Sequence, residues 1–252
     1  MATIAVNGAS GRMGRTVIET AADHECEVVV GFDVDGPDEI GGVPVVDASA
    51  AADAFAEYDP DVVIDFTVPE ATLALADACV EAGVGMVVGT TGFDDDELAE
   101  LDAASESVPV LKATNFSRGI QALLRSVRAA VGALEGYDLE LLETHHNQKV
   151  DAPSGTAYTI LETVREQRDV EPVYGREGHA PREEDEIGVF ARRGGDVRGE
   201  HELVLAGNDE VISLSHRAED RAVFAAGALD AAAWLAGKSP GRYEFDAVID
   251  EA

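Results

Sequence analysis

The chain has 252 residues, with 18 Lys and Arg against 50 Asp and Glu, so its formal net charge is −32. Its 46% hydrophobic content supplies apolar mass for one large domain or two modest ones. No run approaches the roughly 18 apolar residues of a bilayer span, no basic-then-apolar leader opens the sequence, and the acid excess disfavours nucleic acid and anionic membranes as partners. The expectation is a cytoplasmic globular protein.

In chain order, Thr3-Ile4-Ala5-Val6 reads as a strand that stops at Asn7-Gly8. Met13, Val17, Ile18 and Ala21 then recur at helical spacing between Arg12 and Ala22. Val28 to Phe32 is a second strand ending at Asp33, and Val62 to Phe66 a third, followed by a helix from Pro69 to Ala82. Residues 85–88 and 108–111 are two more strands, with a helix through Leu98 and Leu101 between them. Continuous apolar strands alternating with helices predict a doubly wound, Rossmann-like α/β parallel sheet over residues 1–116.

After Asn115 the rhythm changes. The pattern predicts a helix from Ser117 to Leu134, a strand from Asp138 to Glu143, and a helix starting at Pro153. Residues 187–215 read as a three-stranded meander broken at Gly194-Gly195 and Gly207-Asn208-Asp209. These pieces suggest a second α+β domain with a mixed or antiparallel sheet over 117–220. A final helix from Arg221 to Ala236 carries the sole Trp234, and the segment 221–252 is expected to complete the first domain. The acidic stretch Tyr174–Glu186 is the expected mobile loop.

The acids are dispersed, as in Asp94-Asp95-Asp96-Glu97 and Glu183-Glu184-Asp185-Glu186, rather than collected in a tail. Such a coat repels itself unless molar salt shortens the Debye length to roughly 3 Å, so the composition predicts a protein of an extreme halophile. Cys26 and Cys79 lie in apolar surroundings and read as free buried thiols. Only Lys112, Lys149 and Lys238 are lysines, so a lysine inside a motif is unlike a solubility residue.

Two segments carry chemistry. Gly8-Ala9-Ser10-Gly11-Arg12-Met13-Gly14 joins the first strand to the first helix, where backbone N–H groups and the helix dipole can hold a pyrophosphate. An acid ending the next strand, Asp33, is placed for an adenosine ribose; Val34 and Asp35 beside it supply no cation for a 2′-phosphate, so NADH is the preferred dinucleotide, with NADPH second through Arg12 or Arg15. The bland alternative is a glycine turn with no ligand. Gly89-Thr90-Thr91, Phe66-Thr67 and Ala113-Thr114-Asn115-Phe116 follow strands of the same sheet and are expected to wall the nicotinamide site.

The second segment is Glu143-Thr144-His145-His146-Asn147-Gln148-Lys149-Val150-Asp151-Ala152-Pro153-Ser154-Gly155-Thr156. Two histidines, a rare lysine and a helix start with free amides at Ser154, Gly155 and Thr156 together suit a carboxylate. Metal binding is the runner-up for His145-His146, but no third spaced ligand accompanies them, and no metal is expected.

With these motifs, and with Asp65-Phe66-Thr67-Val68-Pro69, Gly175-Arg176-Glu177-Gly178 and Gly199-Glu200-His201, the chain resembles the 4-hydroxy-tetrahydrodipicolinate (dihydrodipicolinate) reductase family over nearly its whole length. The resemblance implies hydride transfer from NAD(P)H to a cyclic unsaturated dicarboxylate in the diaminopimelate route to lysine. It implies His145 as acid/base, Lys149 as proton donor, and His146, Ser154, Gly155 and Thr156 as substrate contacts. It also implies dinucleotide contacts at Gly8 to Met13, Asp33, Gly89 to Thr91 and Ala113 to Phe116, and a homotetramer assembled through the second domain's sheet. Val34 stands where many relatives carry an arginine after the ribose-binding acid, which weighs against NADPH. The alternatives are a non-catalytic dinucleotide sensor and another two-domain dehydrogenase of a related amino-acid precursor.

Overall fold

In a computed structural model that describes residues 1–251, the chain divides into two units, Met1–Ser117 with the chain from Arg221 onward, and Arg118–Asp220. The first stretch contains β1 (Ala2–Asn7), α1 (Arg12–Thr20), β2 (Cys26–Asp33), β3 (Glu39–Ile40), β4 (Val43–Asp47) and α2 (Ala51–Tyr58). It continues with β5 (Val62–Asp65), α3 (Pro69–Ala82), β6 (Gly85–Val88), α4 (Asp95–Ser105) and β7 (Pro109–Lys112). The middle stretch holds α5 (Arg118–Ala133), β8 (Asp138–His145), α6 (Gly155–Arg165), β9 (Glu171–Tyr174), β10 (Glu186–Arg193), β11 (Glu200–Gly207) and β12 (Glu210–Arg217). The chain ends with α7 (Ala222–Leu235), β13 (Gly241–Tyr243) and α8 (Phe245–Asp250).

The first unit is an eight-stranded sheet in the order β13-β7-β6-β5-β1-β2-β4-β3, parallel except at the β3–β4 edge. Its central strands β5 and β6, with the end of β1 and most of β7, are fully buried because both faces are covered. Ile4, Val6, Ile64, Val87 and Leu111 pack against the α1 and α7 side, with Ala228, Leu229 and Ala232. The intervening Ala5, Val63, Met86, Val88 and Val110 pack with Leu75, Ala76 and Leu101 of the helices on the other side. Each fully buried Ile, Met or Phe here contributes roughly 1.5–3 kcal/mol. Strand order reverses between β1 and β5, the switch point where open α/β sheets bind ligands at their strands' carboxyl ends.

The second unit is a five-stranded sheet in the order β12-β11-β8-β10-β9. The meander expected over 187–215 is corrected: only β11 and β12 form a hairpin, while β10 pairs parallel with β8 and β9. Between them, β8 separates β10 from β11. The glycines after β10 do not close a tight turn. Instead Gly194 N–H donates to His145 O and Asn147 N–H donates to Gly195 O, so the 194–199 connection crosses the end of β8. The second helix also starts later than Pro153. Ser154 is the N-cap because its Oγ accepts the Ala157 N–H, which Pro153 has no side-chain oxygen to do.

The stretch 175–185, expected as a loop, has no regular structure and is tied down by arginines. Arg176 pairs with Glu186, and Arg182 donates to Glu140, Leu139 O and Glu186 O.

Candidate active site

The glycine turn is shaped by close approach. Gly8 has φ +76°, and a Cβ on Gly14 would lie 2.2 Å from the Gly8 carbonyl oxygen. The oxygen is thus enclosed by Gly14 and by the Gly11 N–H at 3.0 Å, while the Gly8 and Ala9 N–H groups donate to Phe32 O. Helix α1 starts at Arg12, with Gly11 as an N-cap that supplies no side-chain cap, and with no acid in its first turn. The N–H groups of Gly8, Ala9, Ser10 and Gly11 are used within the turn, so what the segment offers an anionic pyrophosphate is the uncapped helix start with its positive dipole end, which fits a dinucleotide. Asp33 ends β2 with its carboxylate accepting from Ser10 N and Oγ and from Val34 N. Burial works to raise its pKa, but these hydrogen bonds win and hold the carboxyl below its ordinary value, ionised near neutral pH.

The rim residues differ in what they offer. Thr91 and Thr114 are exposed, whereas Ala9, Thr90 and Phe116 are buried. The Phe116 ring sits edge-on to Phe66 and Phe245 in the core, so its side chain is not a rim contact. Thr90 Oγ accepts from Thr67 N and donates to Asp65, whose pKa is raised by burial.

In the second unit, the inner face of the sheet is apolar across the rows Leu139–Ile187–Leu205 and Leu141–Val189–Leu203, packed under α5 and α6. Toward the end of β8 the same face turns ionisable. Glu143 and His145 follow Leu139 and Leu141 at the strand period of two; His201 of β11 pairs with Glu143 in register, and Arg193 of β10 with His145. Glu143 is completely buried. Its carboxylate meets His145 Nδ1, Arg193 Nη2 at 2.8 Å, Arg193 Nη1 at 3.0 Å and the Ser154 N–H at 3.2 Å. Burial would raise its pKa, yet the hydrogen bonds and charges of His145 and Arg193 hold it at about 2. His201 stands edge-on to His145 with centroids 5.2 Å apart and shares a 3.0 Å hydrogen bond with Ser154 Oγ. Burial, then the neighbouring His145 charge, pushes its pKa down to about 4, so it is neutral.

The expected residues therefore split. His145 is nearly buried, Lys149 is half-buried with Nζ 2.9 Å from Asp151 Oδ1, and His146 and Thr156 are partly exposed. Gly155 is exposed, and a Cβ there would meet nothing within 4 Å. Ser154 corrects the expectation of a free amide: its N–H donates to Glu143 and its hydroxyl caps α6 by accepting the Ala157 N–H. Sequence reading assigned no role to Glu143 or Arg193. The available signal was an ionisable pair at i and i+2 continuing the buried face of a strand.

A doubly wound sheet with a dinucleotide-fitting turn, joined in one chain to a unit with a buried acid–imidazole network, defines a nicotinamide-dependent oxidoreductase. Residues 2–116 match the family model "Dihydrodipicolinate reductase, N-terminus", and residues 119–249 match "Dihydrodipicolinate reductase, C-terminus". A 4-hydroxy-tetrahydrodipicolinate reductase of the halophile Haloarcula marismortui is 68% identical over 99% of this chain and 100% of its own. That of Natronomonas pharaonis is 54% identical over 98% and 99%. A solved dipicolinate-bound dihydrodipicolinate reductase from Paenisporosarcina sp. TG-14 has the same fold, with TM-score 0.79 over 97% of both chains at 24% identity. The chain belongs to the dihydrodipicolinate reductase family. It is an NAD(P)H-dependent oxidoreductase that reduces 4-hydroxy-tetrahydrodipicolinate in lysine biosynthesis, and the halophile source expected from composition agrees with its relatives.

Proposed function

We propose that the chain performs this reduction in the cytoplasm with NADH as the preferred electron donor. Gly8 to Met13 hold the pyrophosphate, Asp33 the adenosine ribose, and Gly89 to Thr91 with Ala113 to Phe116 the nicotinamide end, Phe116 through its backbone. The dinucleotide supplies a hydride when bound; the chain's own side chains handle the charge that follows. Once the 4-hydroxyl has left as water, hydride addition to the conjugated ring builds negative charge, which the Lys149 ammonium stabilises before giving up its proton, with His145 as acid/base. His146, Gly155 and Thr156 hold the substrate carboxylates, and Ser154 sets the helix start that presents the last two.

The observation that carries this reading is the change of the β8 face from aliphatic to ionisable at Glu143 and His145, beside the loop bearing Lys149. NADH preference rests on the ionised Asp33 and on exposed Val34, which offers a 2′-phosphate no cation. The second sheet's other face supports a homotetramer: Leu142, Phe190 and Val204 are only partly buried there and Val211 is 65% exposed. The test is absorbance at 340 nm with freshly made substrate and each dinucleotide in molar KCl. NADH oxidation supports the assignment; NADH binding without oxidation would instead mark a sensor.

A further inference from the structure

Glu143 has a partner for each lone pair, and three of those partners do not require a histidine. Arg193 approaches both carboxylate oxygens and Ser154 N–H a third position, which would suffice for a structural ion pair. The fourth position is given to His145 Nδ1. An ionised carboxylate can only accept, so the Nδ1 must carry the hydrogen. Arg193 matters here because a buried, unpaired carboxylate would take up a proton itself. Paired with the guanidinium it stays an anion and leaves the proton on the imidazole.

The opposite edge of the ring is kept open by a glycine. A Cβ on Gly199 would sit 3.1 Å from His145 Nε2, tighter than ordinary contact, and 3.5 Å from Cδ2. The other titratable groups facing this ring are few: His201 from β11, edge-on and neutral, and beyond it Lys149 and His216, which act on His201. None of these is bonded to Nδ1, so among the described residues it is Glu143 that selects the tautomer.

We propose that Glu143, held ionised by Arg193, is the positioning residue of the reductase. It fixes His145 as the Nδ1–H tautomer and makes Nε2, facing the space left by Gly199, the nitrogen that exchanges the proton. This rests on the reading of His145 as the acid/base group. No bond to substrate is assigned to Glu143. Proton balance is simple: Nε2 gains or loses one proton, and Glu143 neither.

The test uses the full chain with ¹⁵N-labelled histidine in molar KCl. The His145 signals are identified by their loss in His145→Gln. In wild type, above about pH 8 where imidazoles are neutral, the spectrum should show Nδ1 protonated and Nε2 bare. The opposite tautomer overturns the proposal without need of any variant. In Glu143→Gln the amide N–H₂ can face Nδ1, and the tautomer should switch. There kcat should fall at least about a hundredfold with KM changed far less, as expected when a catalytic imidazole is held in the wrong tautomer. Glu143→Asp should keep the wild-type tautomer and recover part of kcat. An unchanged tautomer in Glu143→Gln, or equal losses in Gln and Asp variants, would reduce Glu143 to a structural role. If His145→Gln turns over normally, the acid/base reading fails, while the tautomer spectra still report whether Glu143 positions the ring.

Discussion

Alanine at position 14 would place its Cβ 2.2 Å from the Gly8 carbonyl oxygen and 2.7 Å from Ala9 Cα. Ordinary contact begins at 3.4 Å, so the turn and the first turn of α1 must separate by 3.4 − 2.2 = 1.2 Å. Both obstacles are backbone, and the Gly8 and Ala9 N–H groups are anchored on Phe32 O, so no side chain can swing away. Overpacking of this kind costs about 1–3 kcal/mol, while the better helix propensity of alanine returns up to about 1 kcal/mol. A net loss of about 1–2 kcal/mol lowers Tm by about 2–8 °C for a chain of this size. Binding should suffer more selectively, because the displaced helix start is the part proposed above to meet the pyrophosphate. An anion at a helix N-terminus is stabilised by up to about 2 kcal/mol, so the Kd for NADH should rise about 10- to 30-fold. Gly11→Ala, whose Cβ would come only to 3.0 Å of the same oxygen, should lose less. NADH fluorescence titration with thermal unfolding in KCl measures both. Wild-type affinity in Gly14→Ala, or a loss no greater than in Gly11→Ala, would refute the close-approach reasoning.

Lys149→Ala should lower kcat by about a hundredfold or more, the scale of general acid catalysis, and turnover near wild type would remove Lys149 from the mechanism. Asp33→Asn removes the charge that opposes a 2′-phosphate, so the NADPH-to-NADH ratio of kcat/KM should rise about tenfold, or about 1.4 kcal/mol; an unchanged ratio would mean that Asp33 does not set the preference. With a net charge of −32, raising KCl from about 0.1 M to above 1 M should raise Tm by about 10 °C, near 3 kcal/mol at this chain length, and a flat melting curve would contradict the salt-adapted reading.

What was legible depended on how local the determinants are. Val62-Val63-Ile64 and Gly85 to Val88 announce buried parallel strands because a strand covered on both faces must be apolar at every position. The glycine turn was legible for a similar reason, since Gly14 is forced by the backbone of Gly8 and Ala9 a few residues back, although the atoms that a Cβ at Gly8 would meet belong to the distant Phe66 and Thr67. Short elements left weaker traces: β4, α2, β9, β13 and α8 have too few residues to establish a period. The strand order of the second sheet was illegible because β10 finds its partner more than forty residues back, on an edge of β8 that no local pattern marks. Ser154 was misjudged for the same cause. Its N–H is taken by Glu143, eleven residues away, and its hydroxyl by His201, forty-seven away.

The acid coat and the site answer to different ranges of the same force. At molar salt a pair such as Arg128–Glu166, with both side chains about half exposed, is screened within roughly 3 Å and adds little. The Glu143–Arg193 pair loses far less, because Glu143 is wholly removed from solvent and the counterions cannot enter between the charges. Burial thus lets the site keep its charge arrangement while the surface is tuned for solvation. It also explains why the chain spends an arginine rather than one of its rare lysines there: a guanidinium can satisfy both oxygens of a buried carboxylate at once, and it cannot release its proton to the acid it must keep ionised. Lys149 stands at the opposite setting. Half-buried and paired with exposed Asp151, it holds its charge at the edge of the site rather than inside it.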